Sequence, residues 1–134
     1  MILVDAGPLV ALVDADDQHH LACARALPSL DEPLATVWPA ITEAMYLLRD
    51  QPRGQDAVWE MVERGAVRIL PLGPSDVPRI RALMRKYADR PIDIADAALV
   101  AVAEREDVRV VFTVDRGDFS VYRLHGRSRF TILP

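Results

Sequence analysis

The chain has 134 residues, a length typical of one domain. Its composition, 51% hydrophobic and 27% charged, excludes a disordered or fibrous protein. Twenty acidic and sixteen basic residues give a net charge of −4, which excludes neither a nuclease nor a small-molecule enzyme because the distribution of the charges decides. The single cysteine, Cys23, excludes an internal disulfide. No apolar run approaches the ~20 residues of a bilayer span, so we expect a cytoplasmic protein without a membrane segment.

Strands and helices alternate along the first half of the chain. The apolar run at residues 1–4 predicts a buried strand that ends at Asp5, and Gly7 with Pro8 begins a helix. The elements predicted after them are a helix at 17–26, a strand at 34–37, a helix beginning at Pro39 and a helix at 55–64.

The same alternation continues in the second half. The elements predicted there are a strand at 67–72, a helix capped by Ser75 or Asp76 and reaching Tyr87, an apolar helix beginning at Asp93, and strands at 108–114 and 130–133. The segment VDRGDF, residues 114–119, is predicted as a turn. This order predicts one domain, residues 1–134, with the fold of a three-layer α/β/α sandwich around a mostly parallel central sheet.

Four acids are placed where a metal site would form. Asp5 and Asp115 each end a predicted strand, and ligands of open parallel sheets bind beyond the carboxyl ends of the strands. Glu43 and Asp96 lie within otherwise apolar helices, where a buried charge is costly unless something compensates it. Mg²⁺ or Mn²⁺ would compensate these charges, since both prefer carboxylate oxygens. The sequence therefore predicts one acidic pocket assembled from four distant segments.

Other roles for these acids remain open from the sequence alone. Asp5 can cap the helix that follows it, and Asp93 has the position of a helix cap. Asp96 then lies in the first helical turn, where an acid also suits the helix dipole. Asp115 and Asp118 fall in a segment where solvated acids are common. Whether Asp93 or Asp118 contributes to the site is left undecided.

Other catalytic motifs are missing. The adjacent His19 and His20 would not face the same way on a helix, which disfavours a two-histidine metal site. No nucleophile elbow G-x-S-x-G occurs, and neither glycine-rich nucleotide fingerprint is found.

Taken together, four segments resemble the PIN-domain ribonucleases and, more narrowly, the VapC-like toxins of bacterial toxin–antitoxin pairs. The segments are VDAGPLVALVD, TEAMYLL, DIADAALVAVAE and VVFTVDRGDF. Each is weakly specific alone, but the ordered set spans essentially the whole chain. The resemblance implies a metal-dependent endoribonuclease that hydrolyses RNA with an activated water and leaves a 5′-phosphate and a 3′-hydroxyl.

The resemblance also assigns residues. The catalytic acids that it implies are Asp5, Glu43, Asp96 and Asp115. Mg²⁺ or Mn²⁺ would be held by Asp5, Asp96 and Asp115, while Glu43 ligates the ion or orients the attacking water. Thr113 is the implied companion hydroxyl. This chain departs from the family pattern at Gly7, where many members carry Ser, Thr or Asn.

Partners follow from the same resemblance. A small antitoxin would occupy the acidic groove, RNA would be the substrate, and the chain would form a homodimer. The arginines that could grip phosphate beside the pocket are Arg49, Arg53, Arg90 and Arg116.

Two other classes of protein are considered. A non-catalytic PIN-like scaffold would bind RNA or an antitoxin without cutting, and the loss of a core acid would favour it; none is lost. A phosphotransfer domain of the receiver type needs a lysine after a late strand, but the only lysine, Lys86, lies in a predicted helix. A phosphatase with an aspartate nucleophile needs a second Asp at position 7, which is Gly7.

Overall fold

A five-stranded sheet runs through the computed structural model, which describes residues 1–134. All four strand pairings are parallel, and the strand order across the sheet is β3-β2-β1-β4-β5. The strands are β1 (Ile2–Val4), β2 (Leu34–Thr36), β3 (Val67–Ile69), β4 (Val110–Phe112) and β5 (Thr131–Leu133).

Seven α-helices connect and cover these strands. The helices are α1 (Ala6–Val13), α2 (His20–Ala26), α3 (Trp38–Leu47), α4 (Pro52–Glu63), α5 (Val77–Lys86), α6 (Ile94–Arg105) and α7 (Arg116–Val121). Single 3₁₀ turns at Leu27–Ser29 and Pro74–Asp76 complete the regular structure. The longest helices have 12 residues, and none has the length and apolar character needed to cross a membrane.

The central strand β1 divides the core between the two faces of the sheet. Successive side chains of a strand point to opposite faces, and Leu3 packs with α5, α6 and α7 while Ile2 and Val4 pack with α1 to α4. All three side chains are buried, as expected for a parallel strand covered on both faces. This arrangement confirms the predicted α/β/α sandwich, with a sheet that is parallel throughout.

The strand order creates a crevice between β1 and β4. Chain connections leave β1 toward β2 on one side, whereas β4 joins on the other side, so the strand order reverses at this pair. Ligands of doubly wound sheets bind at such a switch point, outside the carboxyl ends of the strands. Asp5 follows β1 directly and Asp115 lies three residues after β4, so both reach this crevice.

The prediction for the segment after β4 is wrong. Residues 114–119 were predicted as a turn, but the structure forms the helix α7 at Arg116–Val121. The Asp115 side chain caps this helix by accepting a hydrogen bond from the backbone N–H of Asp118, 3.0 Å away. Phe119 then buries its ring completely against the sheet, and this tertiary packing overrides the local turn signal.

Element boundaries also differ from the predictions. The predicted helix at 17–26 begins at His20, because the Asp17 side chain accepts a hydrogen bond from His19 N–H in a preceding turn. The helix predicted at 55–64 begins earlier, at Pro52, whose missing N–H costs nothing in a first turn. The predicted strands at 67–72 and 108–114 shorten to three residues each.

We expect Leu99→Ala to lower the free energy of unfolding by about 2–5 kcal/mol, because it opens a cavity in the core. Leu99 is fully buried in α6, the helix that carries Asp96. Urea unfolding measures the change, with Leu21→Ala on exposed α2 as the matched control. Leu21 is 64% exposed, so its truncation should change stability by less than about 0.5 kcal/mol. Equal losses in both variants would contradict the assigned core.

Candidate active site

An acidic pocket of about 220 Å³ opens at the carboxyl end of β1 and β4. Six carboxylates line it, and no basic side chain does. The acids of this pocket are Asp5, Glu43, Asp93, Asp96, Asp115 and Asp118. All four acids that the sequence singled out therefore meet in one place, together with the two whose contribution was left open.

Asp5 is buried and holds its carboxylate in a fixed position. Its Oδ1 accepts a hydrogen bond from the backbone N–H of Ala6 at 2.8 Å, and its Oδ2 accepts one from the Thr113 hydroxyl at 2.9 Å. The Ala6 bond makes Asp5 the N-cap of α1. Capping and a place in the pocket, which were alternatives from the sequence, therefore coexist in this residue.

Thr113 ties the ends of the two central strands together. Its hydroxyl donates to Asp5 after β1 and accepts from the backbone N–H of Asp115 after β4, at 3.0 Å. The side chain is completely buried, so no water competes for these bonds. Thr113 thus sets the relative position of two pocket acids that are 110 residues apart in sequence.

Two further acids lie at the start of α6. The Asp93 side chain caps this helix by accepting from the backbone N–H of Asp96 at 2.8 Å, as its sequence position favours. Asp96 itself is buried in the first turn, and its Oδ2 accepts a hydrogen bond from the Tyr122 hydroxyl at 2.8 Å. Asp93 is exposed, yet it lines the pocket beside Asp96.

Glu43 and Asp118 complete the pocket walls. Glu43 projects from the middle of α3 and is half-buried, so the apolar residues around it in sequence do not bury it fully. Asp118 lies in the first turn of α7 and forms an ion pair with Arg90, with 3.3 Å between Arg90 Nε and Asp118 Oδ1. This ion pair is the one direct contact between a predicted phosphate-binding arginine and a pocket acid.

The other three predicted arginines are engaged elsewhere. Arg49 lies over the ring of Tyr46, 4.3 Å from its centroid, and Arg116 donates to the carbonyl oxygen of Pro134. Arg53 lines a separate depression at the start of α4. None of the three borders the acidic pocket.

Burial, and then crowding, raises the pKa of several acids of the pocket. Removal from water, followed by repulsion from Asp5, raises the pKa of Asp96 to about 8. Burial also raises the pKa of Asp5, although hydrogen bonds from Ala6 and Thr113 oppose the shift. The pKa of Glu43 is raised by burial and then by repulsion from Asp93, Asp5 and Asp115. Without a cation, these groups resist being charged together.

The pocket fits a hard divalent cation in its chemistry. Its donors are carboxylate oxygens, which Mg²⁺ and Mn²⁺ prefer, and a bound cation would relieve the repulsion that raises the pKa values. No three acidic, histidine or cysteine side chains of the chain stand in a ready-made metal-holding arrangement. The fit therefore rests on donor type and charge.

The departure at Gly7 has a steric reason. A Cβ atom on Gly7 would lie 2.5 Å from Cγ2 of Val114, far inside van der Waals contact. Val114 itself lines the pocket. The Ser, Thr or Asn that the resemblance leads one to expect at position 7 would therefore not fit unless Val114 moved.

Sequence reasoning missed Tyr122. The residue sits directly after α7, and its ring is fully buried while its hydroxyl reaches Asp96 on another helix. The apolar spacing of Phe119 and Tyr122 matches one face of a helix and could have indicated burial. No local pattern links a tyrosine to a carboxylate 26 residues earlier.

Comparisons with known proteins give a family match and a sequence relative. A family model of the PIN domain matches residues 2–123. Ribonuclease VapC26 from Mycobacterium tuberculosis is 32% identical over 136 aligned positions, covering 99% of this chain and 100% of the relative.

Two solved structures share the fold. The crystal structure of Mycobacterium tuberculosis VapC20, described as a sarcin–ricin loop cleaving toxin, superposes with a TM-score of 0.76 at 19% identity, covering 83% of this chain and 87% of the other. A toxin–antitoxin complex from Klebsiella pneumoniae contains a chain with a TM-score of 0.69 at 18% identity, covering 90% of this chain and 92% of the other.

We expect the stability of the metal-free protein to fall as the pH rises from about 4 to about 8. Folded Asp96 keeps a proton up to about pH 8, whereas the unfolded chain loses it near the ordinary aspartate pKa of 3.8. The folded state therefore binds more protons across this range, and raising the pH favours unfolding. Asp96→Asn cannot ionise and should be more stable than the parent by at least about 1 kcal/mol at pH 8.

Urea unfolding in EDTA at pH 5 and pH 8 measures this difference. Asp16→Asn is the control, since Asp16 is an exposed aspartate outside the pocket, and its two curves should overlay those of the parent. An Asp96→Asn variant with no gain in stability at pH 8 would contradict the described crowding.

Proposed function

The chain belongs to the PIN-domain family, and we propose that it is a cytoplasmic, metal-dependent endoribonuclease acting as the toxin of a toxin–antitoxin pair. The observation that carries the proposal is the pocket of six carboxylates at the switch point of the sheet, with no basic side chain among its lining residues. The full-length similarity to Ribonuclease VapC26 supports RNA as the substrate.

Four acids of the pocket have proposed roles. Three would hold a metal ion, and one would accept a proton. Asp5, Asp96 and Asp115 would hold Mg²⁺ or Mn²⁺. Hydrogen bonds from Thr113 and Tyr122 orient the carboxylates of Asp5 and Asp96, which supports this assignment. A bound ion would act as a Lewis acid, lowering the pKa of a water molecule and neutralising charge on the phosphodiester.

Glu43 is the candidate general base. It reaches the pocket from α3, and its raised pKa makes it a better proton acceptor near neutral pH than an ordinary glutamate. The attacking water would give its proton to Glu43 while its oxygen bonds to phosphorus. The bond from phosphorus to the 3′ oxygen then breaks, and that oxygen takes up a proton. The products are a 5′-phosphate and a 3′-hydroxyl, since the ribose 2′-hydroxyl does not attack.

Arg90 is the candidate for binding a neighbouring phosphate. It pairs with Asp118 at the edge of the pocket, and its side chain is 42% exposed. A guanidinium can donate two parallel hydrogen bonds to a phosphate, so Arg90 can exchange its single contact with Asp118 for an RNA backbone group.

We expect Asp5→Asn and Asp96→Asn each to lower kcat for RNA cleavage by at least about 100-fold while leaving the folded structure intact. Purified, partner-free protein is incubated with labelled RNA and Mn²⁺ or Mg²⁺, with EDTA as the metal-free control. Asp16→Asn is the matched control and should cut at the parental rate.

The outcomes of this experiment separate two classes of protein. Cutting that requires both the metal and Asp96 supports the nuclease. If the metal binds and no RNA is cut in the absence of an antitoxin, the nuclease proposal fails and the non-catalytic scaffold takes its place.

The proposal includes two protein partners. An antitoxin that places a cationic side chain in the pocket would meet five carboxylates that have no basic partner, besides Asp118 with its Arg90, and would block the site. A second copy of the chain is the other partner. Trp38 and Tyr46 on α3 are 52% and 64% exposed, and such exposed aromatic side chains support an interface between protomers.

We expect Tyr46→Glu to convert the proposed dimer to a monomer, because it replaces an exposed aromatic ring of the interface with a charge. Sedimentation velocity of the parent and the variant at equal concentration measures the change. Leu21→Glu is the matched control, since Leu21 is also 64% exposed but lies on α2. A monomeric parent, or a Tyr46→Glu variant that remains dimeric, would overturn the proposed interface.

A further inference from the structure

Tyr122 makes a hydrogen bond to the acidic pocket from the core. Its ring is fully buried, and its hydroxyl donates to Oδ2 of Asp96 at 2.8 Å. The Asp96 carboxylate is therefore held by a buried neutral side chain that directly follows α7, a different helix from its own.

Neighbouring rings fix the tyrosine in place. Phe119 packs edge-on against it with centroids 5.2 Å apart, and Tyr87 does so from another side at 5.1 Å. Tyr122 is also the C-cap residue of α7, the helix that Asp115 begins. The hydroxyl therefore has little freedom to follow Asp96 if that carboxylate rotates, and it selects one orientation.

Asp96 shares the pocket with five other acids. Once Asp96 is ionised, repulsion between like charges favours a rotation of its carboxylate away from them. A hydrogen bond on Oδ2 opposes that rotation and leaves Oδ1 available to a cation. Partners of ligating carboxylates act in this way in metal sites generally.

We propose that Tyr122 is a positioning residue that orients Asp96 for a divalent cation. This inference rests on the proposed function, since it assigns Asp96 to metal binding. The tyrosine does not touch the substrate or the ion. It acts through the carboxylate that it holds.

The chain offers a matched control in Tyr87. Tyr87 belongs to the same aromatic cluster and is buried, but its hydroxyl accepts from the backbone N–H of Arg123 at 3.0 Å. Tyr87→Phe and Tyr122→Phe each remove one buried hydroxyl from adjacent rings. Only the second deprives Asp96 of a hydrogen bond.

The test is Mn²⁺ binding to the intact chain by isothermal titration calorimetry. We expect Tyr122→Phe to weaken Mn²⁺ affinity about tenfold and Tyr87→Phe to leave it unchanged. Thermal unfolding without metal should show comparable losses of stability in the two variants. A purely structural role for Tyr122 would not produce a selective loss of metal affinity.

A second measurement covers the case in which Tyr122→Phe does not fold. The chain has three tyrosines, so uniform 3-fluorotyrosine labelling gives a ¹⁹F NMR spectrum with one site each at Tyr46, Tyr87 and Tyr122. Saturation with Mg²⁺ should shift the Tyr122 resonance and leave that of Tyr87 in place. No shift of the Tyr122 resonance would overturn the inference.

The remaining outcomes are equally decisive. Equal Mn²⁺ affinity in the parent and in Tyr122→Phe, equal weakening in both variants, or no Mn²⁺ binding by the parent would each overturn it. If the affinity difference is found but no RNA is cut, the ribonuclease proposal fails while the positioning role stands.

Discussion

Repulsion among carboxylates gathered at one edge of a parallel sheet is the constraint to which the rest of this structure responds. Six acids share a pocket of about 220 Å³, and two of them, Asp5 and Asp96, are buried. Burying a charge beside other charges of the same sign is costly unless hydrogen bonds or a counterion compensate it. The surrounding elements supply the hydrogen bonds, and the divalent cation that we propose for the site would be the counterion.

Most of these hydrogen bonds come from groups that the fold must satisfy in any case. Helix N-termini carry backbone N–H groups without partners, and Asp5, Asp93 and Asp115 each accept one as the cap of a helix. The site is thus built from helix starts that meet at the switch point, and side-chain hydroxyls add the remaining restraints. Stability and function use the same carboxylates here, so a substitution in the pocket changes both.

The acids were predictable from sequence because their signals are local. Asp5 and Asp115 follow strands, and Asp96 interrupts an apolar helix, so pattern and spacing placed them at one edge of an α/β sheet. What could not be predicted depends on contacts between distant segments. The helix α7 forms because Phe119 is buried by tertiary packing, and the Tyr122 bond to Asp96 joins segments 26 residues apart. Gly7 is likewise explained only by its close approach to Val114.

The pairing of β1 with β4 has a consequence for the making of the protein. Leu3 lies opposite Val111, so β1 cannot pair with β4 until a segment more than one hundred residues later has been translated. Asp5 and Asp115 come together only when that pairing forms, through Thr113. A nascent chain whose residues 110–115 are still in the ribosomal exit tunnel therefore lacks the assembled acidic pocket. The order of synthesis itself delays the site until these residues have emerged.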